Sequence, residues 1–409
     1  MKKFGIYILF ISSTISITIS SCGKKNPLPE NVAVWQVFGD TIKFEEHTYN
    51  ENKQEILTAN ESGIIGIVDY DMPLDSTYLP LKAKIFKRQL DGKTVLTKHD
   101  TLGQGIIAPG GVLQLNANGD RMTTLYASED SKISVLTHHL KGDMWQTVDT
   151  LFLHPEFKFN YINLKLSDDG NTLAVFPAIN GYTRAYVNTY RFEDDTWKTL
   201  GDSVPVQDIL PKNTQSYGSG MYWDYVDFNT NGSKMVIGNP FAEVNGLSSG
   251  EVRTYALQNN QWKNASKTVY GKFPYHHFGS SVVLKNNVLS VTAHSRKPDE
   301  NMTVFYWTNK NWEEQSGYFE PDQFMGEIYS ISADARTVLS VEPTQISYGE
   351  KPKELYIYHH LEGTWLLLGK IRNGSRHIKE IGLFPESRQL VTFQKDFFKQ
   401  HIVCYKLID

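Results

Sequence analysis

The chain has 409 residues and a net charge of −4, with 12% aromatic and 21% charged residues. That balance excludes an electrostatic nucleic-acid binder, which needs a strongly basic face, and a disordered chain, which lacks aromatic residues. Two cysteines, Cys22 and Cys404, are too few for a disulfide scaffold or a four-cysteine zinc module.

Residues 1–21 read as a secretory signal. Lys2-Lys3 gives a positive start, Phe4 to Ile19 is uncharged, apolar and Ser/Thr-rich, and the segment is too short for a stable membrane span. It closes with Ile19-Ser20-Ser21-Cys22. An aliphatic residue, two small residues and a cysteine resemble the lipobox of bacterial lipoproteins. The resemblance implies cleavage before Cys22, acylation of that residue, and attachment to the lipid bilayer of the cell envelope, at the outer membrane. Gly23-Lys24-Lys25-Asn26 lacks the acidic residues that mark surface export in Bacteroidetes-like lipoproteins, so the membrane face stays open. Residues 22–31 are then a short polar tether with two prolines.

From residue 32 to 409 the sequence is repetitive, and its clearest unit runs from 222 to 271. Within it, Tyr225 to Phe228, Met235 to Ile237, Val252 to Leu257 and Gln261-Trp262 are predicted strands. Asn231-Gly232 and Asn259-Asn260 mark hairpin turns, because Asn and Gly tolerate positive φ. A tryptophan after a polar turn is the ruler for the other units: Trp145, Trp197, Trp262, Trp312 and Trp365. One interval is longer than the rest, and its excess falls in a Pro/Gly/Ser/Asn-rich run from Val204 to Met221, predicted as a loop. Residues 54–102 fit a further unit with Val95 in the tryptophan's place. The last unit, from about Lys379, lacks a fourth strand, whereas Trp35 to Asp40 looks like one.

The arithmetic gives seven units of about 54 residues each, the size of a four-stranded propeller blade. The expected fold is therefore all-β: a seven-bladed β-propeller closed by an N-terminal strand that completes the last blade. Pairing the two ends leaves neither end unit with a free edge. A linear β-solenoid is the structural rival.

Phe278 to Val282 (FGSSV), Met235 to Pro240 (MVIGNP), Gly250 to Tyr255 (GEVRTY) and Trp262 together resemble the FG-GAP-like repeats of bacterial secreted propellers, akin to the integrin alpha-subunit head. Calcium often sits in acidic loops of that family. No Asp-x-Asp-x-Asp-Gly loop occurs here, so neither calcium nor another cofactor is implied.

The chain has no Gly-x-Ser-x-Gly elbow, His-Glu-x-x-His helix motif or phosphate-binding glycine loop. Asp69, Asp71 and Asp75 form the nearest approach to an acidic metal cluster, and are read as a solvated loop between second and third strands. Three pairs, His138-His139, His276-His277 and His359-His360, cannot each chelate one metal from a strand, because neighbours point to opposite faces. The aromatic third strands are read as packing between blades, Cys404 as a buried inert thiol, and Asn264-Ala265-Ser266 and Asn301-Met302-Thr303 as turn residues. Architecture places a ligand site at the channel mouth, where Tyr222, Trp223 and Asp224 stand beside Arg184, Arg296 and Lys297. The expected function is a membrane-anchored binding or scaffold module for an envelope protein or glycan. The alternative is a glycan- or peptide-processing enzyme with carboxylates or a histidine at that mouth.

Overall fold

The computed structural model describes residues 34–37, 42–43, 53–59, 64–71, 79–88, 94–105, 113–127, 132–142, 144–153, 162–177, 186–206, 225–293, 302–314, 318–319, 327–331, 337–341, 354–361, 364–372, 377–384, 389–395 and 400–408. Among them, the strands fall into seven sheets, each built on four antiparallel strands, with a two-residue fifth strand added in sheets 3, 4, 6 and 7. Sheet 1 contains Lys53–Ala59, Ile64–Asp71, Leu79–Arg88 and Thr94–Gly105, and sheet 2 contains Leu113–Leu115, Arg121–Ala127, Ile133–Lys141 and Met144–Phe152. Sheet 3 contains Ile162–Leu166, Thr172–Pro177, Tyr186–Glu193 and Thr196–Thr199. Sheet 4 contains Val226–Phe228, Lys234–Asn239, Glu251–Gln258 and Gln261–Asn264. Sheet 5 contains Ser281–Lys285, Val288–Thr292, Met302–Thr308 and Asn311–Glu314. Sheet 6 contains Glu327–Ile331, Thr337–Val341, Glu354–Leu361 and Thr364–Arg372. Sheet 7 takes His377–Phe384, Gln389–Lys395 and Gln400–Ile408 from the end of the chain. Its fourth strand is Val34–Val37, with Val34 opposite Ile408 and Trp35 opposite Leu407.

The first strand of each sheet touches the first strand of the next, and that of sheet 7 touches that of sheet 1. The tryptophan ruler has a structural meaning. Trp35, Trp145, Trp197, Trp262, Trp312 and Trp365 are each the second residue of a fourth strand, and Val95 holds that place in sheet 1.

The two hairpin types differ in their chemistry. Sheet 2 uses Gly142 (63°) in its turn from third to fourth strand, whereas those of sheets 3, 4 and 5 take positive φ at two successive residues without glycine: Asp194-Asp195, Asn259-Asn260 and Asn309-Lys310. That is the mirror-image turn that matches the strand twist. The first-to-second turns of sheets 2, 3 and 4 are wider, while that of sheet 5 is the two-residue Asn286-Asn287. At Asn231-Gly232 only Gly232 has positive φ (62°). Asn231 instead accepts hydrogen bonds at Oδ1 from Ser233 N and Oγ, and Gly232 N donates to Asn229 O. A side-chain-built turn replaces the tight hairpin expected there.

No single core exists among the described residues. Apolar slabs lie between successive sheets: Leu125 and Val135 with Leu164 and Val175 between sheets 2 and 3; Phe176 and Val187 with Val226 and Ile237 between 3 and 4. Val236 and Val252 with Val282 and Val291 fill the gap between 4 and 5, and Val288 and Val304 with Tyr356 and Trp365 that between 5 and 6. Strand patterns follow from this. Second strands are flanked on both faces, and Thr172–Pro177 and Val288–Thr292 are almost wholly buried rather than alternating. The third-strand aromatics Phe192, Phe305, Tyr356 and Tyr358 are buried in these slabs.

Polar fasteners cross the slabs. Trp197 Nε1 donates to Thr137 Oγ1 (2.6 Å), Trp262 Nε1 to Thr189 Oγ1 (2.7 Å) and Trp312 Nε1 to Thr254 Oγ1 (2.7 Å). In each case the tryptophan of one sheet reaches the third strand of the preceding sheet. Val304 stands at the matching place in sheet 5, and there Trp365 of sheet 6 packs in an apolar cluster with it. Nearer the first strands, Asp227 accepts from Leu284 N (2.7 Å) and pairs with Lys165 (3.3 Å), linking sheets 3, 4 and 5. The first-to-second turns are also joined: Ala117 N donates to Asp168 O (2.8 Å), and Asp169 N to Thr230 O (2.9 Å).

Two sequence expectations change. Val204–Pro205 pairs with Tyr186-Val187, and Val204 and Val206 are buried, so the first residues of the predicted loop belong to sheet 3; residues 207–221 of it lie outside the described residues. The reason is an apolar alternation that extends the outer edge of sheet 3. Asp69 and Asp71 lie within the second strand of sheet 1 rather than in the loop after it, because the ladder to Glu55 and Lys53 runs on through them; Asp75 lies outside the described residues.

Thr254→Val keeps the shape of the side chain and removes the acceptor of the Trp312 indole. Leaving that half-buried donor without its partner costs about 1–3 kcal/mol. Urea unfolding is expected to show a lower midpoint for Thr254→Val, and a smaller additional loss when Trp312→Phe is combined with it than when Trp312→Phe is made alone.

Candidate functional site

The strand directions define two ends of the assembly. One end carries the turns between first and second, and third and fourth strands. The other carries the second-to-third loops and the connections from sheet to sheet. Each large hydrophobic side chain that is exposed among the described residues lies at this second end. Phe152 ends the fourth strand of sheet 2, Tyr186 opens the third strand of sheet 3, and Val244, Leu247, Tyr270 and Tyr275 belong to sheet 4 and its exit.

The densest part is the junction of sheets 4 and 5. Residues 240–250 leave the second strand of sheet 4, and residues 271–280 lead to sheet 5. The two segments run side by side: Tyr275 N donates to Leu247 O (2.7 Å), His277 N to Ser248 O (3.0 Å), and Gly250 and Phe278 form a parallel bridge. The backbones approach so closely that side chains are excluded. A Cβ on Gly238 would sit 2.1 Å from Gly279 O, and one on Gly250 2.1 Å from Phe278 O. Gly250 and Gly279 also have φ of 87° and 89°, which glycine adopts without strain. The GNP, SSGEV and FGSSV stretches singled out in the sequence therefore meet here, and their glycines serve backbone packing rather than a ligand.

Ser248, Tyr275 and His277 take left-handed φ of 51°, 60° and 52° without being glycine or asparagine. Such conformations cost of order 1–3 kcal/mol each and collect at functional sites. Here they turn Tyr275 outward, 53% exposed, while its neighbour His276 is 1% exposed. His276 stacks between Phe273 (ring centroids 4.4 Å apart) and Phe278 (5.8 Å), and its Nδ1 accepts from Lys272 N (3.2 Å). Beside the patch, Lys272 pairs with Glu314 across the sheets (2.8 Å). The exposed chemistry is apolar and aromatic with a charged rim.

The sequence-derived ligand residues Tyr222, Trp223, Asp224, Arg184, Arg296 and Lys297 lie outside the described residues, as does the lipidation residue Cys22. The strand ends that flank two of them do meet, since Tyr225, fully buried, donates its hydroxyl to Pro177 O. Cys404 lies in the third strand of sheet 7, opposite Val391. Val244 and Leu247 escaped sequence reasoning because they sit in a run of Gly, Ser and Asn that reads as a polar loop. Two isolated apolar residues in such a loop were the available signal.

Of the three histidine pairs, His138-His139 separates as strand geometry requires, whereas His276-His277 lies in the connection to sheet 5 and not on a strand as expected. His138 is buried, with its ring nitrogens at 3.4 Å from Thr124 Oγ1 and 3.1 Å from Thr147 Oγ1, while His139 is half-exposed. His359 Nδ1 lies 3.2 Å from Thr337 Oγ1. Among the described residues no group of three His, Cys, Asp or Glu is placed to hold a metal. Burial pushes the His138 pKa down to about 4.

No family model matches the chain, and no curated protein matches its sequence. Solved structures do match. The β-propeller domain of the Trilobed protease from Pyrococcus furiosus, which has an open velcro topology, aligns with a TM-score of 0.50 at 10% identity over 88% of this chain and 97% of that one. A chain of the mitotic checkpoint complex aligns with a TM-score of 0.52 at 9% identity, over 95% and 99%. A protein from Lactobacillus plantarum aligns with a TM-score of 0.51 at 9% identity, over 82% and 92%. The fold is that of a β-propeller.

The depressed His138 pKa predicts the direction of a pH effect. Above pH 6.5 the imidazole is neutral in both states and stability is complete. As pH falls towards 4 the unfolded chain takes up a proton that the folded chain refuses, and stability drops. Between pH 7.5 and 5 the loss attributable to this group is about 2 kcal/mol. Urea midpoints measured at both pH values are expected to converge less steeply for His138→Gln than for the wild type; equal slopes would remove His138 from the account.

Proposed function

We propose that the chain is a lipid-anchored protein of the bacterial cell envelope, carried at the outer membrane by acylated Cys22, and that its propeller is a binding or scaffold module. The ring has seven blades and is closed by the N-terminal strand, and its repeats are FG-GAP-like. Support for the ring comes from the unbroken circuit of first-strand contacts and from the pairing of Val34–Val37 with the last strand. Support for the anchor comes from the Ile19-Ser20-Ser21-Cys22 ending of the signal segment. The FG-GAP-like description rests on FGSSV, MVIGNP and GEVRTY, which converge at one blade junction.

The binding reading is carried by one observation: the exposed large hydrophobic side chains of the described residues all lie at the end that carries the loops. A free surface that concentrates apolar groups on one side marks an interaction face.

Labelling cells with radioactive palmitate tests the anchor. Wild-type chain is expected to carry label and float with membranes, whereas Cys22→Ser is expected to be unlabelled and soluble. Label-free, soluble wild-type chain would contradict it. Chain that always sediments alone after chemical crosslinking of intact cells would contradict the binding module.

A further inference from the structure

We propose that Asn245 is a site of spontaneous deamidation, and that its conversion to aspartate or isoaspartate releases a latch between sheets 4 and 5. The inference goes beyond the binding reading and holds whether or not the chain is lipid-anchored.

Asparagine is among the thermolabile residues, and it is most so before glycine, where no Cβ hinders the following backbone nitrogen. At Asn245-Gly246 the Gly246 nitrogen gives up its proton to water and forms a bond to Asn245 Cγ. The side-chain nitrogen leaves as ammonia, and a five-membered imide remains. One water then opens the imide. Cleavage at the side-chain carbonyl gives aspartate, and cleavage at the main-chain carbonyl gives isoaspartate. The sum is hydrolysis of one amide, with water as the co-reactant.

Three Asn-Gly pairs lie among the described residues, at 118, 231 and 245, and all three asparagines are exposed. Exposure therefore does not choose between them, but the attacking nitrogen does. Gly119 N donates to Asn116 O (3.0 Å) and Gly232 N to Asn229 O (2.9 Å), and both glycines are buried in their turns. Asn231 Oδ1 is held as well, by Ser233 N (3.1 Å) and Asn229 Nδ2 (3.0 Å). Among the described residues the Gly246 N–H has no acceptor, and Gly246 is half-buried. At 119 and 232 a hydrogen bond must break before the nitrogen can turn to the preceding side chain; at 246 none must. The bond from Asn245 Nδ2 to Gly271 O (2.7 Å) survives the attack, because the departing nitrogen is its donor.

That same bond is the latch. It ties the loop leaving sheet 4 to the segment entering sheet 5, beside the bonds from Tyr275 N to Leu247 O and from His277 N to Ser248 O. A carboxylate at 245 has acceptors alone, so an anionic oxygen would face the Gly271 carbonyl. Isoaspartate also lengthens the backbone by one atom, where the Pro274 ring already lies in the place of a Cβ on Gly246.

The purified full-length chain is incubated in mildly alkaline buffer, once folded and once in urea, and peptide mass spectrometry follows each Asn-Gly pair. In the folded chain, conversion is expected to be several-fold faster at Asn245 than at Asn118 or Asn231; in urea the three rates are expected to converge. Equal rates in the folded chain, or a faster one at Asn118 or Asn231, overturn the site. Hydrogen exchange of Asn245→Asp reads the latch. The Tyr275 and His277 amides are expected to exchange several-fold faster than in the wild type, while Glu251 to Gln258 keep their protection. Unchanged exchange at 275 and 277 overturns the latch, as does loss of protection throughout sheet 4. Neither readout involves Cys22, so failure of the lipid anchor leaves both decisive.

Discussion

The indole N–H buried between sheets governs the rest. A sheet in this protein is apolar on both faces, so it is stable only with a neighbour on each side. Dispersion and burial hold two such sheets together but do not fix their relative height, since apolar contact is non-directional. The Trp–Thr bonds at 137, 189 and 254 do fix it. At Trp197, Trp262 and Trp312 the indole has one donor, and across the slab one hydroxyl is within reach. Sliding the sheets by a residue would forfeit that bond and leave a polar group without water or partner.

Fixing each sheet against the next gives the two ends different properties. At the turn-bearing end the chain reverses in a few residues, and Asn, Asp, Gly and, at 310, Lys occupy the positions with positive φ. Backbone bonds from turn to turn tie sheets 2, 3 and 4 there. At the other end the chain must cross between sheets. The junction of sheets 4 and 5 does so by packing backbone on backbone, which glycine alone permits at 238 and 250. Close backbone packing consumes the local hydrogen-bonding groups. It leaves Val244, Leu247 and Tyr275 as the outward surface.

Much of this architecture was legible in the sequence, for a physical reason. A repeated sheet that needs the same neighbour contacts seven times repeats the same residues, so Trp145, Trp197, Trp262, Trp312 and Trp365 mark fourth strands, and Trp35 marks the strand that joins the last sheet. Even the substitution by Val95 kept its register. The threonine acceptors were less visible, because a threonine in a strand is commonplace and its partner lies about sixty residues away. The exposed face was hidden for a different reason: loop residues have no periodicity, and Leu247 reads as noise until its backbone is seen beside Tyr275. The ligand residues assigned from architecture alone, Tyr222 to Asp224 with Arg184, Arg296 and Lys297, fall outside the described residues.

The proposed ring stands or falls with its closure, and backbone hydrogen exchange measures that without altering the chain. Amides of Trp35 to Val37 and of Tyr405 to Ile408 are expected to exchange together, and far more slowly than in an unfolded chain, with protection lost only when neighbouring sheets also open. Exchange of the N-terminal segment at the unfolded rate, while Glu251 to Gln258 in sheet 4 stays protected, would contradict it.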